Sequence, residues 1–351
     1  MCGNHPLNKG GMTSVINQIR DYNWNKEGIE LSFIPTFIPG NSIKKIIFFC
    51  ISYIKILIRF LISKPDIVHM HMSYKGSFSR KYIIHKLCKV FGVKDIIHLH
   101  GSEFKKWYDK LDNSKKKKIK KLFTECNEFI VLGRNWEKII KSISPNVKVT
   151  VISNAVKIPT KIACWNNDKF QILYLGVLIP RKGVLDLVDC ISLLKNNYKI
   201  ENFVLVIAGT GEDENKIRKQ IRRYGLEKYI VIKGWIEGKE KEHLFQNSQI
   251  LVLPSYNEGL PISILEGISY GLPVIASNVG DISMAVHNNI NGYLIKPGDK
   301  EKMADCIISL MSKVTYSRMS LSSRKIAEDQ FSEEKMFSNL ITLYKKLSDI
   351  T

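Results

Sequence analysis

The stretch Ile250-Leu-Val-Leu-Pro254-Ser-Tyr-Asn-Glu258-Gly-Leu-Pro261-Ile-Ser-Ile-Leu-Glu266-Gly-Ile-Ser-Tyr-Gly271-Leu-Pro273-Val274 decides the fold. Its apolar opening, Ile250 to Leu253, reads as a buried strand. Pro261 suits the first turn of a helix, and Gly271 with Pro273 ends it. A strand therefore feeds a helix through a tight acidic loop, the repeating unit of a parallel α/β sheet. Such a helix start presents unpaired backbone N–H groups and a positive dipole end above the strand, which favours a phosphate. Glu258 stands in the loop, and Glu266 lies more than a turn into the helix. Carboxylates accept hydrogen bonds from hydroxyls, so acids flanking a phosphate suit a sugar on one side and a ribose on the other. The plainer alternative is one acid near a helix start for dipole reasons and another on a solvent face.

Outward from this unit, strands alternate with helices along all 351 residues. In the first half, strands are expected at Ile29 to Phe37, Asp66 to His71, Asp95 to His100 and Glu128 to Leu132. In the second they are expected at Phe170 to Leu175, Phe203 to Ala208, Tyr229 to Lys233, Ile250 to Leu253 and Pro273 to Ser277. The length suits two domains with parallel sheets, each a Rossmann-like half. Between them, Pro145 to Asp168 is broken by Ser153-Asn-Ala155, Ile158-Pro-Thr160 and Asn166-Asn167-Asp168. The boundary is placed near Ala163, giving an N-terminal domain of residues 1–163 and a C-terminal domain of residues 164–331. Residues 332–348 carry an apolar stripe, Met336, Phe337, Leu340, Leu343, Tyr344 and Leu347, and form a helix with a surface to dock on.

Seven scattered cysteines, with no Cys-x-x-Cys pair and no zinc spacing, argue against disulfide and metal frameworks and suit a reducing cytosol. Met1 to Gly11 is polar and glycine-rich, so no secretory signal is expected there. The most hydrophobic stretch, Ile43 to Ile62, carries Lys44, Lys45, Lys55 and Arg59 and is too short in its apolar part to cross a bilayer. It reads as a buried helix before the strand at Asp66, with interfacial membrane contact as the alternative.

The net charge of +20 is distributed unevenly. Residues 1–165 hold 29 Lys and Arg against 11 Asp and Glu, a difference of +18, and residues 166–351 hold 24 against 22, a difference of +2. Biased composition would act on both halves alike, so the basic half points to an anionic membrane surface or a polyanionic partner. Its densest run is Lys115 to Lys118 with Lys120 and Lys121, on a helix given an apolar side by Ile119, Leu122 and Phe123. A solvated face is the bland reading. No helix-turn-helix signature, zinc spacing or aromatic stacking motif accompanies the charge, so nucleic acid is not an expected partner.

Asn257-Glu-Gly-Leu-Pro261 followed by Leu265-Glu-Gly267 resembles the signature of the family 4 retaining glycosyltransferases, which have the GT-B fold: two Rossmann-like domains facing across a cleft. Several other positions fit that resemblance. Gly10-Gly11, ahead of Val15, Ile16 and Ile19, matches the loop that faces the donor phosphates and the acceptor. His100, at the end of the strand Asp95 to His100, matches the histidine that binds around the reacting carbon. His98, on the same side of the strand, reads as a core residue, and His69 with His71 does not read as a metal pair. Lys182-Gly183 matches the late part of a diphosphate-binding loop. Val177 stands where the family usually has arginine, and Arg181, next to Lys182, is the candidate substitute. Gly209-Thr-Gly211-Glu212 resembles the Gly-x-Gly-Glu turn near the nucleotide. Val279-Gly280-Asp281 replaces a Gly-Gly pair, so Asp281 is expected to alter the donor-sugar pocket. The last helix is expected to cross back to the N-terminal domain. An apolar strand normally precedes the glycine loop, yet few residues precede Gly10 here, so the first strand is expected to be missing and the start truncated.

The resemblance implies a retaining glycosyltransferase that uses a nucleotide-diphospho-sugar, with no cofactor and no metal. No Asp-x-Asp triplet occurs in the chain. The expected catalytic residues are His100 and Glu258. Donor-binding residues are Gly10, Gly11, Arg181, Lys182, Gly209, Gly211, Glu258 for the sugar, Gly259, Leu260, Pro261, and Glu266 for the ribose. The acceptor is expected to be a saccharide, lipid-linked, of a cell-surface polysaccharide. That places the enzyme in the cytoplasm, peripheral at the inner face of the plasma membrane. Val177 and the missing strand motivate one rival: a catalytically impaired relative that binds nucleotide sugar or anionic lipid.

Overall fold

The computed structural model describes residues 1–166 and 168–348. The chain forms two compact units, Met1–Asn154 with the residues from Glu334 onward, and Ala155–Glu333. In the first unit, strands β1 (Cys2–Asn4), β2 (Ile34–Phe37), β3 (Ile67–Met72), β4 (Lys94–Leu99), β5 (Glu128–Val131) and β6 (Val149–Val151) make a parallel sheet in the order β2-β1-β3-β4-β5-β6. Helices α1 (Gly11–Asp21), α2 (Ser42–Ile62), α3 (Gly76–Phe91), α4 (Phe104–Asp109), α5 (Asn113–Glu125) and α6 (Arg134–Ile143) lie between or after them. Strands buried on both faces read as near-continuous apolar runs, as Phe129 to Val131 of β5 do.

The second unit repeats the plan. Strands β7 (Phe170–Leu175), β8 (Phe203–Ala208), β9 (Ile230–Gly234), β10 (Ile250–Leu253), β11 (Val274–Ser277) and β12 (Gly292–Ile295) pair in the order β12-β11-β10-β7-β8-β9. Its helices are α7 (Val184–Asn196), α8 (Glu214–Arg223), α9 (Gly238–Asn247), α10 (Ile262–Ser269), α11 (Lys300–Leu310) and α12 (Lys313–Phe331). From β7 the chain winds outward through β8 and β9, then returns to pair β10 on the other side of β7. That reversal is a topological switch point, where helices leave the strand ends in opposite directions and open a crevice. The first sheet reverses between β1 and β3.

Helix α13 (Glu333–Ser348) belongs to the first unit, with Met336, Phe337, Leu340, Leu343 and Tyr344 buried. Phe337 stacks on Tyr22 with ring centroids 3.9 Å apart.

Three sequence expectations need correction. The first strand is present: β1 lies inside its sheet, Cys2 opposite Ile34 on one side and Met70 on the other. Three residues suffice because both edges are paired, and small side chains let α1 approach. A Cβ on Gly3 would lie 2.5 Å from Ile16 Cδ1. Secondly, α2 is not a buried helix. Only Ser52, Ile56 and Phe60 are buried, because α2 covers the edge strand β2 with one narrow stripe. Thirdly, residues 155–163 pack with the second unit. The Val156 N–H donates to Phe331 O at 2.9 Å, and the Ala163 N–H to Tyr270 O at 2.8 Å. Asn167, in the loop expected before β7, lies outside the described residues.

Candidate active site

At the switch point of the second sheet, the loop after β7 and the loop after β10 are fastened together. The Tyr256 N–H donates to Arg181 O at 2.7 Å, and Arg181 Nη1 donates to Asn257 O at 2.9 Å. Gly183 has φ +68°, and a Cβ there would lie 2.1 Å from Pro254 O, so only glycine permits this approach. Across the junction, Lys182 Nζ donates to Glu258 Oε1 in an ion pair whose side chains are 11% and 8% exposed. Arg181 Nη1 stands 3.8 Å from Glu258 Oε2. Ions so far from water persist only when paired, and this pair holds a lysine ammonium in the crevice.

Two more loops close around that pair. A Cβ on Gly209 would lie 1.8 Å from Gly176 O, and one on Gly211 would lie 2.2 Å from Leu178 O. The Leu178 N–H donates to Thr210 O at 2.9 Å, and the Asp213 N–H to Leu178 O at 3.0 Å, so the β8 loop is seated on the β7 loop. After β11, Gly280 has φ +61° and packs on the backbone of Glu258, with 2.2 Å between an added Cβ and Glu258 O. The Asp281 N–H donates to Gly259 O at 2.9 Å, and Asp281 is buried. Leu260 is buried, and Pro261 precedes α10, whose start has no side-chain cap among the described residues. Its first-turn amides are thus available to an anion.

Glu266, on α10, is half-buried and accepts from Lys241 Nζ of α9 at 2.6 Å. Sequence reasoning missed Lys241, because nothing in its local pattern sets it apart from the neighbouring lysine and glutamates. It also missed Ser255 and Ser277, whose buried Oγ atoms have no hydrogen-bond partner among the described residues. Ser277 ends β11, and Ser255 opens the Glu258 loop.

In the first unit, Gly10 has φ +129°, a conformation that favours glycine, and α1 starts at Gly11 just past the end of β1. His100 follows β4 and is half-buried, and its Nε2 lies 2.8 Å from His71 Nδ1. Behind it His69, His71 and His98 are buried, with His69 Nε2 at 3.2 Å from His98 Nδ1 and His69 Nδ1 at 2.5 Å from Tyr344 Oη. Burial holds His69, His71 and His98 well below the usual imidazole pKa, and lowers His100 to about 3. All four rings are therefore neutral at physiological pH. Nitrogens of His69, His71 and His98 lie within 4.8 Å of one another, the set best placed to hold a metal ion among the described residues. The ring-to-ring hydrogen bond between His69 and His98 accounts for part of that proximity without an ion.

Residues 160–326, nearly the whole second unit and all four loops, match the family model described as glycosyl transferases group 1. The second unit carries a group 1 glycosyltransferase domain. The UDP-Gal:alpha-D-GlcNAc-diphosphoundecaprenol alpha-1,3-galactosyltransferase of Escherichia coli is 26% identical to it over 342 residues, covering 91% of this chain and 84% of that protein. Among solved structures, sucrose-phosphate synthase of Thermosynechococcus elongatus superposes with a TM-score of 0.83 at 17% identity, covering 100% of this chain and 99% of the other. Anabaena HepE in complex with UDP gives a TM-score of 0.78 at 14% identity, covering 98% of each chain. The chain has the GT-B fold.

Proposed function

We propose that this glycosyltransferase moves a sugar, with retention, from a nucleotide-diphospho-sugar to a lipid-linked saccharide of a cell-surface polysaccharide such as an O-antigen, capsule or exopolysaccharide. The observation that carries this reading is the buried Lys182–Glu258 pair at the β7/β10 switch point, beside the uncapped start of α10. A diphosphate entering there meets Lys182, Arg181 and the first amides of α10, which offset its charge without a metal. Lys182 then exchanges one anionic partner for another, and Glu258 is released to accept hydrogen bonds from the donor sugar. Glu266 takes the ribose hydroxyls, with Lys241 fixing its carboxylate. Gly209, Gly211, Gly259, Leu260 and Pro261 shape the donor pocket by close backbone approach.

In the transfer, the bond from the anomeric carbon to the leaving phosphate oxygen breaks while the acceptor oxygen bonds to that carbon on the same face. The acceptor's hydroxyl proton passes to the departing diphosphate. Among residues of the first unit, we assign the neutral His100 a catalytic role and Gly10 with Gly11 a donor-binding one. A lipid-linked acceptor is supported by the Escherichia coli relative, whose name gives an acceptor on diphosphoundecaprenol. The basic first half suits the inner face of a plasma membrane. Val177, where a cation is usual, favours one rival reading, a protein that binds nucleotide sugar without turnover.

Purified protein incubated with matching membranes and a panel of labelled nucleotide sugars separates the two. Movement of one label into lipid is the expected result. Binding of a nucleotide sugar with neither transfer nor hydrolysis contradicts the proposal.

A further inference from the structure

Helix α2 turns an aliphatic face outward. Ile43, Ile47, Ile51, Ile54, Ile58 and Leu61 recur at spacings of three, four and seven, which lays them along one side of the helix. All are exposed, from 48% at Ile58 to 69% at Ile43. Single exposed aliphatics are ordinary, but a continuous strip along 21 residues, about 30 Å of helix, marks an interaction surface. The opposite stripe, Ser52, Ile56 and Phe60, fastens the helix to its own unit, and Ser52 Oγ donates to Pro35 O at 2.7 Å.

Charge identifies the occupant. Residues 31–65 contain no Asp or Glu, while Lys44, Lys45, Lys55 and Arg59 lie on α2. At about 100° per residue, Lys44 and Lys55 border one side of the aliphatic strip. Both are exposed, and among the described residues neither has an ion-pair partner. Arg59 lies further round and pairs with Glu30 at 3.0 Å. A second copy of this face would bring no acid from α2 to meet Lys44 and Lys55, so self-pairing leaves both lysines uncompensated. An apolar strip bordered by cations fits an anionic bilayer, where aliphatics enter the acyl boundary and lysines meet lipid phosphates. No helix among the described residues is long and apolar enough to cross a membrane, so α2 would lie in the interface.

The geometry points to α2 as an in-plane membrane anchor that seats its Ile43–Leu61 face in the surface of an anionic bilayer. This deepens the proposed function, resting on its lipid-linked acceptor only for purpose. The first turn of α2 follows the C-terminal end of β2, the sheet edge that also carries Gly10 and His100.

The test is flotation of the full chain with phosphatidylglycerol–phosphatidylcholine vesicles, needing neither donor nor acceptor, so its failure leaves the transfer reading standing. Ile47→Asp with Ile54→Asp should lower partitioning at least about tenfold with unchanged thermal melting, because both side chains are exposed. Lys44→Glu with Lys55→Glu should remove the preference for phosphatidylglycerol. Cys50 is exposed on α2, so bimane on Cys50 in a Cys164→Ser background should be quenched by brominated lipid. Three results overturn the inference: no flotation; flotation unaffected by the isoleucine changes but abolished by neutralising Lys115 to Lys121; or lipid-free self-association that Ile54→Asp abolishes.

Discussion

The Lys182–Glu258 pair can be taken apart one charge at a time. At hydrogen-bond separation and an effective dielectric near 20, its Coulomb attraction is about 5 kcal/mol. Desolvating the two ions costs several kcal/mol each, so the intact pair adds little net stability. Removing one partner is different, because the other stays buried. Among the described residues, Lys182→Met leaves the 8%-exposed Glu258 carboxylate with Arg181 at 3.8 Å as its ion-pair partner, and a cost of about 3 kcal/mol is expected. Glu258→Gln keeps an oxygen for the ammonium, so about 2 kcal/mol is expected. The double variant should cost less than the sum by at least about 1 kcal/mol, since it leaves neither charge stranded. Native-state hydrogen exchange at the β10 and α10 amides reads this locally, whatever the other unit does. In the transfer assay Glu258→Gln should lower kcat by about 10²-fold or more. Strict additivity of the two changes, or near-full turnover by Glu258→Gln, refutes the reasoning.

Acid should unfold the first unit early. His69, His71, His98 and His100 are held neutral in the fold and titrate near 6.5 once unfolded, so the unfolded chain binds more protons below that pH. Each then removes up to about 1.4 kcal/mol of stability per pH unit as pH falls below 6.5 toward the folded values. Urea midpoints at pH 7.5 and at pH 5.5 should differ accordingly, and His98→Asn with His69→Asn should flatten the dependence; a pH-independent midpoint contradicts it. Glu266→Gln should weaken nucleotide binding about tenfold with a stability change under about 1 kcal/mol, because its pair with Lys241 is partly solvated. Glu266→Gln binding UDP, GDP and ADP as tightly as the unmodified protein counts against the ribose assignment. Chelator should leave transfer unchanged; inhibition reversed by one divalent ion overturns the metal-free proposal.

The strand ends that build the site were legible because β7, β8 and β10 are apolar runs stopped by glycine or proline, the signal that a buried parallel strand leaves in sequence. β1 was not, since its three residues, Cys2 to Asn4, are too few to make an apolar run. β6, also three residues long, left as little signal, and β12 is a four-residue edge strand that opens on Gly292. The α2 face misled because an aliphatic stripe reads the same whether core or lipid covers it; only the fold shows that β2 is an edge strand. Glu258 and Lys182 were each identified, but their contact spans 76 positions and depends on the switch between β7 and β10. Gly280 stood out only as part of Val279-Gly280-Asp281, in place of a Gly-Gly pair. Its role, letting the β11 loop rest on Glu258 O, exists only once the two loops meet.

The most direct measurement is the crystal structure of this protein with whichever of UDP, GDP or ADP binds most tightly. The account predicts the diphosphate within hydrogen-bond distance of Lys182 Nζ and the first amides of α10, with the ribose hydroxyls on Glu266. A nucleotide bound away from the β7/β10 strand ends, leaving the Lys182–Glu258 pair intact, would contradict it.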